Sequence, residues 1–279
     1  MAGTLMRGFA LLELLDSEGP MRVSELARRS GNDKATVSRI VTAGEADGWF
    51  LRRDGKVALG LRSTLIGHDS SMRDRIRGAE PLVHAIAGVT GVPTMAIGQI
   101  GRSAVVYAHA PAGPLELPIT VGARLPLWLT AAGRTILSQL DDATIDAAVP
   151  ADPFPSADQI LGQPFALEFQ RLHPPTAAVT TRPAPSTRRQ LDDRLAGIRV
   201  CGWERDDGEI NPGTGCMAVA WAQPGLAASL SCVGSQAQIA AQAHVILAAL
   251  QAATASGATR DDVVAATAAA IGDRPSPGS

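Results

Sequence analysis

Residues 49–60, WFLRRDGKVALG, constrain the fold more than any other stretch of the chain. Asp54-Gly55 stands between two short β-prone runs. A two-residue type I′ turn needs positive φ at both central positions, which Asp and Gly tolerate, so the segment reads as a hairpin. Three short helices precede it. Leu5, Phe9, Leu12 and Leu15, with Leu11 and Leu14 alongside, recur at helical spacing until DSEGP stops the run. SELARRS follows with Ser24 as its expected cap, and Gly31 ends it. Asn32 is the expected cap of a third helix, with Asp33 favourable in its positive first turn. Val37, Ile40 and Val41 form the inward face of that helix, and Lys34, Ala35, Ser38, Arg39 and Thr42 fall largely outside it. Three short helices and a hairpin make a winged helix-turn-helix.

The remaining chain is long enough for a second core. With 279 residues and 46% hydrophobic content, about two domains are expected. The expected order is a winged domain over residues 1–60, a connecting helix over 61–77, a second domain over 78–254, and a tail over 255–279, partly disordered at DRPSPGS. In the second domain, AEPLVHAIAGVTG reads as a helix, TMAIGQI and SAVVYAHA as strands, LELPITV as a further strand, and GARLPLW as a loop. TAAGRTILSQL is a helix that Thr130 caps, and DDATIDAAV is a short one. Residues 150–185 are rich in proline and poorly patterned. Thr187 and Gln190 form a capping box for a helix through about residue 196. RVCGWERDD, GCMAVAW and LAASLSCV read as strands, and residues 236–253 as one long helix. The fold class is α+β.

Charge is unevenly distributed. Residues 1–77 carry thirteen Lys/Arg against ten Asp/Glu, a net +3, whereas the whole chain is at −2. A mildly basic module on an acidic body fits a small DNA-binding domain on a larger one. Cys201, Cys216 and Cys232 are scattered without a CxxC pair, and the five histidines show no ligand spacing, so neither a disulfide framework nor a metal site is expected. A cytoplasmic protein without cofactor follows. GFALLELL lacks a basic leader and a cleavage site and reads as a helix, and nothing approaches the roughly 20 apolar residues of a membrane span. No Walker sequence or GxGxxG argues for a nucleotide site.

Three segments resemble the IclR family of bacterial transcription regulators. SELARRSGNDKATVSRI is similar to its helix-turn-helix. VGARLPLWLTAAGRTILS is similar to its Gly-x-x-Leu-Pro-Leu-His-x-Thr-Ala-x-Gly-Lys motif. GWERDDGEINPGTGCMAVA is similar to its Gly-Tyr-x-x-Asp-x-x-Glu-x-x-Pro-Gly-x-x-Cys-x-Ala segment. The resemblance runs from about Leu5 to Ala253. It implies a homodimer or dimer of dimers, a GAF-like C-terminal domain that binds a small metabolite, often an organic acid, and control of a nearby operon through double-stranded DNA.

Carried onto this chain, the resemblance makes Thr36, Ser38 and Arg39 DNA contacts, while Lys34 at the helix start suits a phosphate and Arg52, Arg53 and Lys56 flank the wing turn. Asp206 and Cys216 match the family's pocket carboxylate and cysteine. Leu127, Trp128, Leu129 and Thr130 enter a helix start whose amides favour an anion, and Ser231 is placed to donate from its strand. Trp128 replaces the usual histidine, and Val233 stands where a second serine is common, which implies a less polar pocket. Gly44 and Asp47 replace inner-face leucines of the third helix. The glycine is expected to weaken that helix by about 1 kcal/mol relative to alanine, and a buried aspartate by more. Two other readings accompany this one: a sensor with a decayed DNA-binding domain acting through protein contacts, and a cysteine-dependent enzyme using Cys216.

Overall fold

The computed structural model describes residues 2–66, 71–113, 121–157, 159 and 183–272. The chain divides into two compact units, Met1–Arg73 and Asp74–Ser279.

The first unit contains α1 (Ala2–Glu18), α2 (Val23–Ser30), α3 (Lys34–Ala46), the strands β1 (Phe50–Arg53) and β2 (Lys56–Leu59), and α4 (Leu61–Leu65). The hairpin forms as the Asp-Gly pair requires, with Asp54 at φ 53° and Gly55 at φ 73°. Met21 exchanges backbone hydrogen bonds with Val57, which ties the α1–α2 connection to the wing. Leu11, Leu15, Leu26, Val37, Val41, Phe50 and Val57 are buried in one core.

Local details differ from the sequence reading. No side chain caps α2, which starts after Arg22, so Ser24 is not its cap; Gly31 ends it in the left-handed conformation. The cap of α3 is Asp33, one residue later than expected, accepting from the Thr36 amide at 2.8 Å, while Asn32 donates instead to the Ser30 carbonyl. Leu5 and Phe9 are not core residues: both are exposed, and with Leu12, Ile40, Ala43 and Trp49 they line an apolar groove of about 710 Å³. Gly44 lies within α3, where an added Cβ would meet Phe50 Cδ2 at 2.5 Å, so the glycine is there for close packing. Asp47 is exposed at the end of α3, and no burial penalty arises.

In the second unit α5 (Ser71–Thr90) runs without interruption across residue 77, where the sequence reading placed a boundary. A six-stranded antiparallel sheet follows among the described residues, in the order β5-β4-β3-β8-β7-β6. Its strands are β3 (Thr94–Ile100), β4 (Ser103–Ala110), β5 (Arg124–Pro126), β6 (Trp203–Asp207), β7 (Thr214–Gln223) and β8 (Leu226–Ser235). The helices are α6 (Ala131–Leu137), α7 (Asp142–Ala148), α8 (Arg188–Cys201), α9 (Gln236–Ala241), α10 (Ala243–Thr254) and α11 (Arg260–Gly272).

Successive side chains alternate between the two faces of the sheet. One face, with Ala96, Met217, Val219, Leu230 and Cys232, packs on α5, α9, α10 and α11 through Val83, Ile86, Ile239, Leu250 and Val263. The other, with Met95, Ile97, Val106 and Ala218, packs on α6, α7 and α8 through Ile136, Ile145, Leu191 and Leu195.

The loop expected at GARLPLW contains β5, whose Leu125 pairs with Ala104. The helix expected to end near residue 196 continues to Cys201, so Arg199–Cys201 of RVCGWERDD is helical; Gly202 then terminates it at φ 79°. The single helix expected over 236–253 breaks at Gln242. Part of the expected tail is α11, whose Val263 is buried in the core. LELPITV, apart from Val121, and DRPSPGS lie outside the described residues.

Candidate functional site

The exposed side of α3 and the wing carry the basic residues. Lys34, Arg39, Arg53 and Lys56 are exposed, and Thr36 and Ser38 are half-buried beside them. Arg39 donates to Thr36 Oγ1 at 3.2 Å, along one helix face. Arg53 and Lys56 are register partners at the wing tip. Arg52 behaves differently: its Nη2 donates to Thr42 Oγ1 at 3.1 Å and its Nε stands 3.1 Å from Glu45 Oε2, so it fastens the wing to α3. The arginines of α2 are also neutralised. Glu25 accepts from both Arg28 and Arg29, which pulls its carboxyl down to about 2. Arg53 Nε stands 3.7 Å from Asp54 Oδ2, while Lys34, Arg39 and Lys56, all exposed, have no ion-pair partner among the described residues.

The sheet unit holds a second polar cluster on the face shared with α6. Asp206 on β6 lies opposite Cys216 on β7, which lies opposite Val233 on β8. Asp206 is buried and accepts from the Glu209 amide at 2.8 Å; burial, reinforced by the nearby Glu209 charge, raises its carboxyl to about 7. The Cys216 thiol is pushed well up by burial and then by Asp206. Ser231 is fully buried between Met95 and Ala218 in the register, and its Oγ has no hydrogen-bond partner. Trp128 packs edge-on against Phe154 at 5.9 Å, and its Nε1 is likewise buried without a partner. Buried donors are normally satisfied, and Trp128 Nε1 and Ser231 Oγ are among several buried polar atoms without a hydrogen-bond partner among the described residues.

Leu127, Leu129 and Thr130 are buried around the start of α6. Thr130 caps the helix by accepting from Gly133 at 2.8 Å, which removes one of the amides on which the anion reading relied. Gly133 has no alternative: a Cβ there would fall 2.2 Å from the Leu127 carbonyl oxygen.

Sequence reasoning missed the charges beneath this loop. Arg134, fully buried, places Nη2 2.8 Å from Glu209 Oε2 and Nε 3.6 Å from Glu204 Oε2. The contact with Glu209 is ionic rather than an aligned hydrogen bond. Arg134 Nη1 donates to the Leu129 carbonyl at 3.1 Å and faces that of Trp128 at 3.4 Å. Arg194 of α8 completes the square, with Nη1 3.4 Å from Glu204 Oε1 and Nη2 3.0 Å from Glu209 Oε1. The signal was present: Arg134 occupies the lysine position of the second motif and Glu209 the glutamate of the third.

A winged helix-turn-helix is a DNA-binding fold, and in this chain it precedes a separate sheet unit with a buried polar cluster. Residues 4–49 match the family model of the IclR helix-turn-helix domain. The chain is 25% identical over 223 residues to the acetate operon repressor of Salmonella typhimurium, covering 77% of this chain and 73% of that protein. An IclR transcriptional regulator from Alicyclobacillus acidocaldarius superposes with a TM-score of 0.65 at 18% identity, covering 96% of this chain and 99% of that one. An IclR homolog from Microbacterium hydrocarbonoxydans, complexed with 4-hydroxybenzoate, gives 0.63 at 19% identity over 95% and 99% of the two chains. The chain thus carries an IclR-type helix-turn-helix domain, and over most of its length it is similar to IclR transcriptional regulators.

Proposed function

We propose that the protein binds a pseudo-palindromic operator as a homodimer and responds to a small organic acid held in the sheet unit. The observation that carries the DNA half is the set of exposed cations on α3 and the wing, Lys34, Arg39, Arg53 and Lys56, against the neutralisation of Arg28 and Arg29 on α2. Arg39, with Thr36 and Ser38, reads base edges; Lys34, Arg53 and Lys56 meet phosphates; Arg52 sets the wing angle. The apolar groove between α1 and α3, with Leu5, Met6 and Phe9 exposed, supports self-association, since an isolated domain seldom leaves such a surface uncovered. No helix among the described residues is long and apolar enough to cross a membrane, and the protein acts in the cytoplasm, where DNA is available and thiols stay reduced. A mobility-shift titration with the DNA upstream of its own gene tests this half. Equal affinity for that DNA and a shuffled sequence would remove it.

For the sensor half, the acid group of the ligand accepts from Trp128 Nε1 and Ser231 Oγ, and Asp206 takes a hydroxyl or amide beside that group, near Cys216. Calorimetry with benzoate and 2-hydroxybenzoate on the full chain tests it. Asp206→Ala narrows the gap between the two acids if Asp206 accepts the hydroxyl, and leaves the gap unchanged if it does not. Ligand binding changes DNA affinity only through different affinity for two arrangements of the protein, with α5 as the element present in both units.

The rival readings lose their motive. Gly44 is a packing glycine and Asp47 is exposed, so neither argues for a decayed DNA-binding domain. A nucleophilic cysteine needs a stabilised thiolate, and burial and Asp206 both oppose one at Cys216. The characterised relatives are transcriptional regulators.

A further inference from the structure

The sheet face that carries Ser231 has another buried polar atom without a hydrogen-bond partner among the described residues, His109 Nε2 on β4. The register explains why it is there. His109 pairs with Met95, and Met95 pairs on its other side with Ser231, so the three residues form one row across β4, β3 and β8. This row belongs to the face packed on α6, where Met95 is buried.

His109 reaches that face because of a β-bulge. Ile97 pairs with Val106 and Ala96 with Ala108, which leaves Tyr107 as an extra residue between them. If the register of Ile97 and Val106 ran on with Tyr107 paired to Ala96, His109 would pair with Thr94, whose hydroxyl meets Cys232 on the opposite face. A one-residue shift reverses the facing of everything beyond it, and bulges re-aim side chains in this way next to binding sites. The outcome is an imidazole turned inward and left unsatisfied, although an unmade buried hydrogen bond costs roughly 1–3 kcal/mol.

Two strand spacings separate His109 from Ser231, roughly 10 Å between their Cα atoms. The floor between them is Met95, which is apolar. That span suits one aromatic ring, or a chain of similar length, with a hydrogen bond at each end.

We propose that His109 is the far pole of the effector site: the ligand lies over Met95 with its acid group at Ser231 and Trp128, and presents a second oxygen, hydroxyl or carboxylate, to His109 Nε2. This rests on the sheet unit being the effector site and adds the ligand class, a bipolar acid with oxygen at both ends of an apolar body. Burial lowers the pKa of His109, with His84 adding to the effect, so the ring is neutral and recognises the far oxygen by hydrogen bonding rather than by charge.

The test is calorimetry on the full chain with benzoate and 4-hydroxybenzoate, which differ only at the far end. The wild type is expected to bind 4-hydroxybenzoate about tenfold more tightly, the value of one good hydrogen bond. His109→Leu is expected to abolish that preference while leaving benzoate within about twofold. His109→Gln, whose amide nitrogen reaches a similar position, restores part of it, which a collapsed site would not allow. Equal losses for both acids in His109→Leu, or a preference that survives it, overturn the role of His109 while the effector reading stands. Failure of both acids to bind the wild type overturns the effector reading and this inference with it.

Discussion

At Gly44, helix propensity and packing pull in opposite directions. A methyl group in α3 gains about 1 kcal/mol of helix stability. The same methyl would stand 2.5 Å and 2.7 Å from Phe50 Cδ2 and Cε2, and overpacking of this kind costs about 1–3 kcal/mol. Packing wins, so Gly44→Ala is expected to lower the unfolding midpoint of the full chain, by about 1 kcal/mol in free energy. The same change in a Phe50→Leu background should be close to neutral or stabilising, because the ring edge is gone. A raised midpoint in the wild-type background would mean that Phe50 yields freely. Asp206 makes a different residue-scale prediction. Its carboxyl titrates near 7 in the fold and near 3.8 in the unfolded chain, so between these values the folded protein holds a proton that the unfolded chain has released. Stability from this group therefore falls as pH rises from about 4 to about 7, by an amount on the order of 4 kcal/mol at most. Asp206→Asn keeps an acceptor for the Glu209 amide and carries no charge, so its advantage over the wild type should grow between pH 5 and pH 8 in urea titrations. A constant difference across that range would show that Asp206 is ionised at little expense in the fold.

The segment from α6 to β6 depends on charges that no local pattern reveals. Arg134 and Glu209 lie far apart in sequence, and only the packing of α6 against the sheet brings their side chains to 2.8 Å. Arg134→Met would remove one of the two arginines that face the buried Glu204 and Glu209, and loss of one partner from a buried set costs about 3–5 kcal/mol. Adding Glu209→Gln should recover a substantial part of that loss, a coupling that urea denaturation of the four cycle members would read; strict additivity would mean the two groups do not interact. Elements specified by neighbouring residues were legible from the sequence: the Asp54-Gly55 turn, the Thr130 cap, the Thr187 cap and the alternation of β7 and β8. Elements specified by distant residues were not. β5 exists because β4 offers an edge, Gly44 because Phe50 folds over it, and α11 because Val263 finds a place in the core. The candidate site divides in the same way. Motif positions identified Asp206 and Cys216 and also contain Arg134, but the ion pairs of Arg134 needed the fold, and His109 needed a bulge that shifts the register by one residue.

At the scale of the whole molecule, the salt dependence of operator binding reports both the number of phosphate contacts and the number of chains making them. The −2 chain charge gives no general attraction to DNA, so in the proposed arrangement the electrostatic part of affinity comes from the exposed cations on α3 and the wing. Lys34, Arg53 and Lys56 provide three phosphate contacts per chain in the proposed arrangement, and a dimer provides twice as many. Each neutralised phosphate contributes about −0.9 to the slope of log K against log salt, so a dimer is expected near −5 and a lone chain near −3. Arg53→Ala removes one contact from each chain and should flatten the dimer slope by about 2, with equal losses on specific and unrelated DNA. Arg39→Ala should act differently, relaxing base preference at one position per half-site by about 1–3 kcal/mol while changing the slope little. Arg52→Ala should resemble neither: it releases the wing from Glu45 and Thr42, so affinity falls through misplacement of Arg53 and Lys56 even though Arg52 itself meets no phosphate. Filter-binding or anisotropy titrations at several salt concentrations separate the three variants. A slope near −3 that Arg53→Ala flattens by only about 1 would point to one winged domain on the duplex and would count against the two-fold operator.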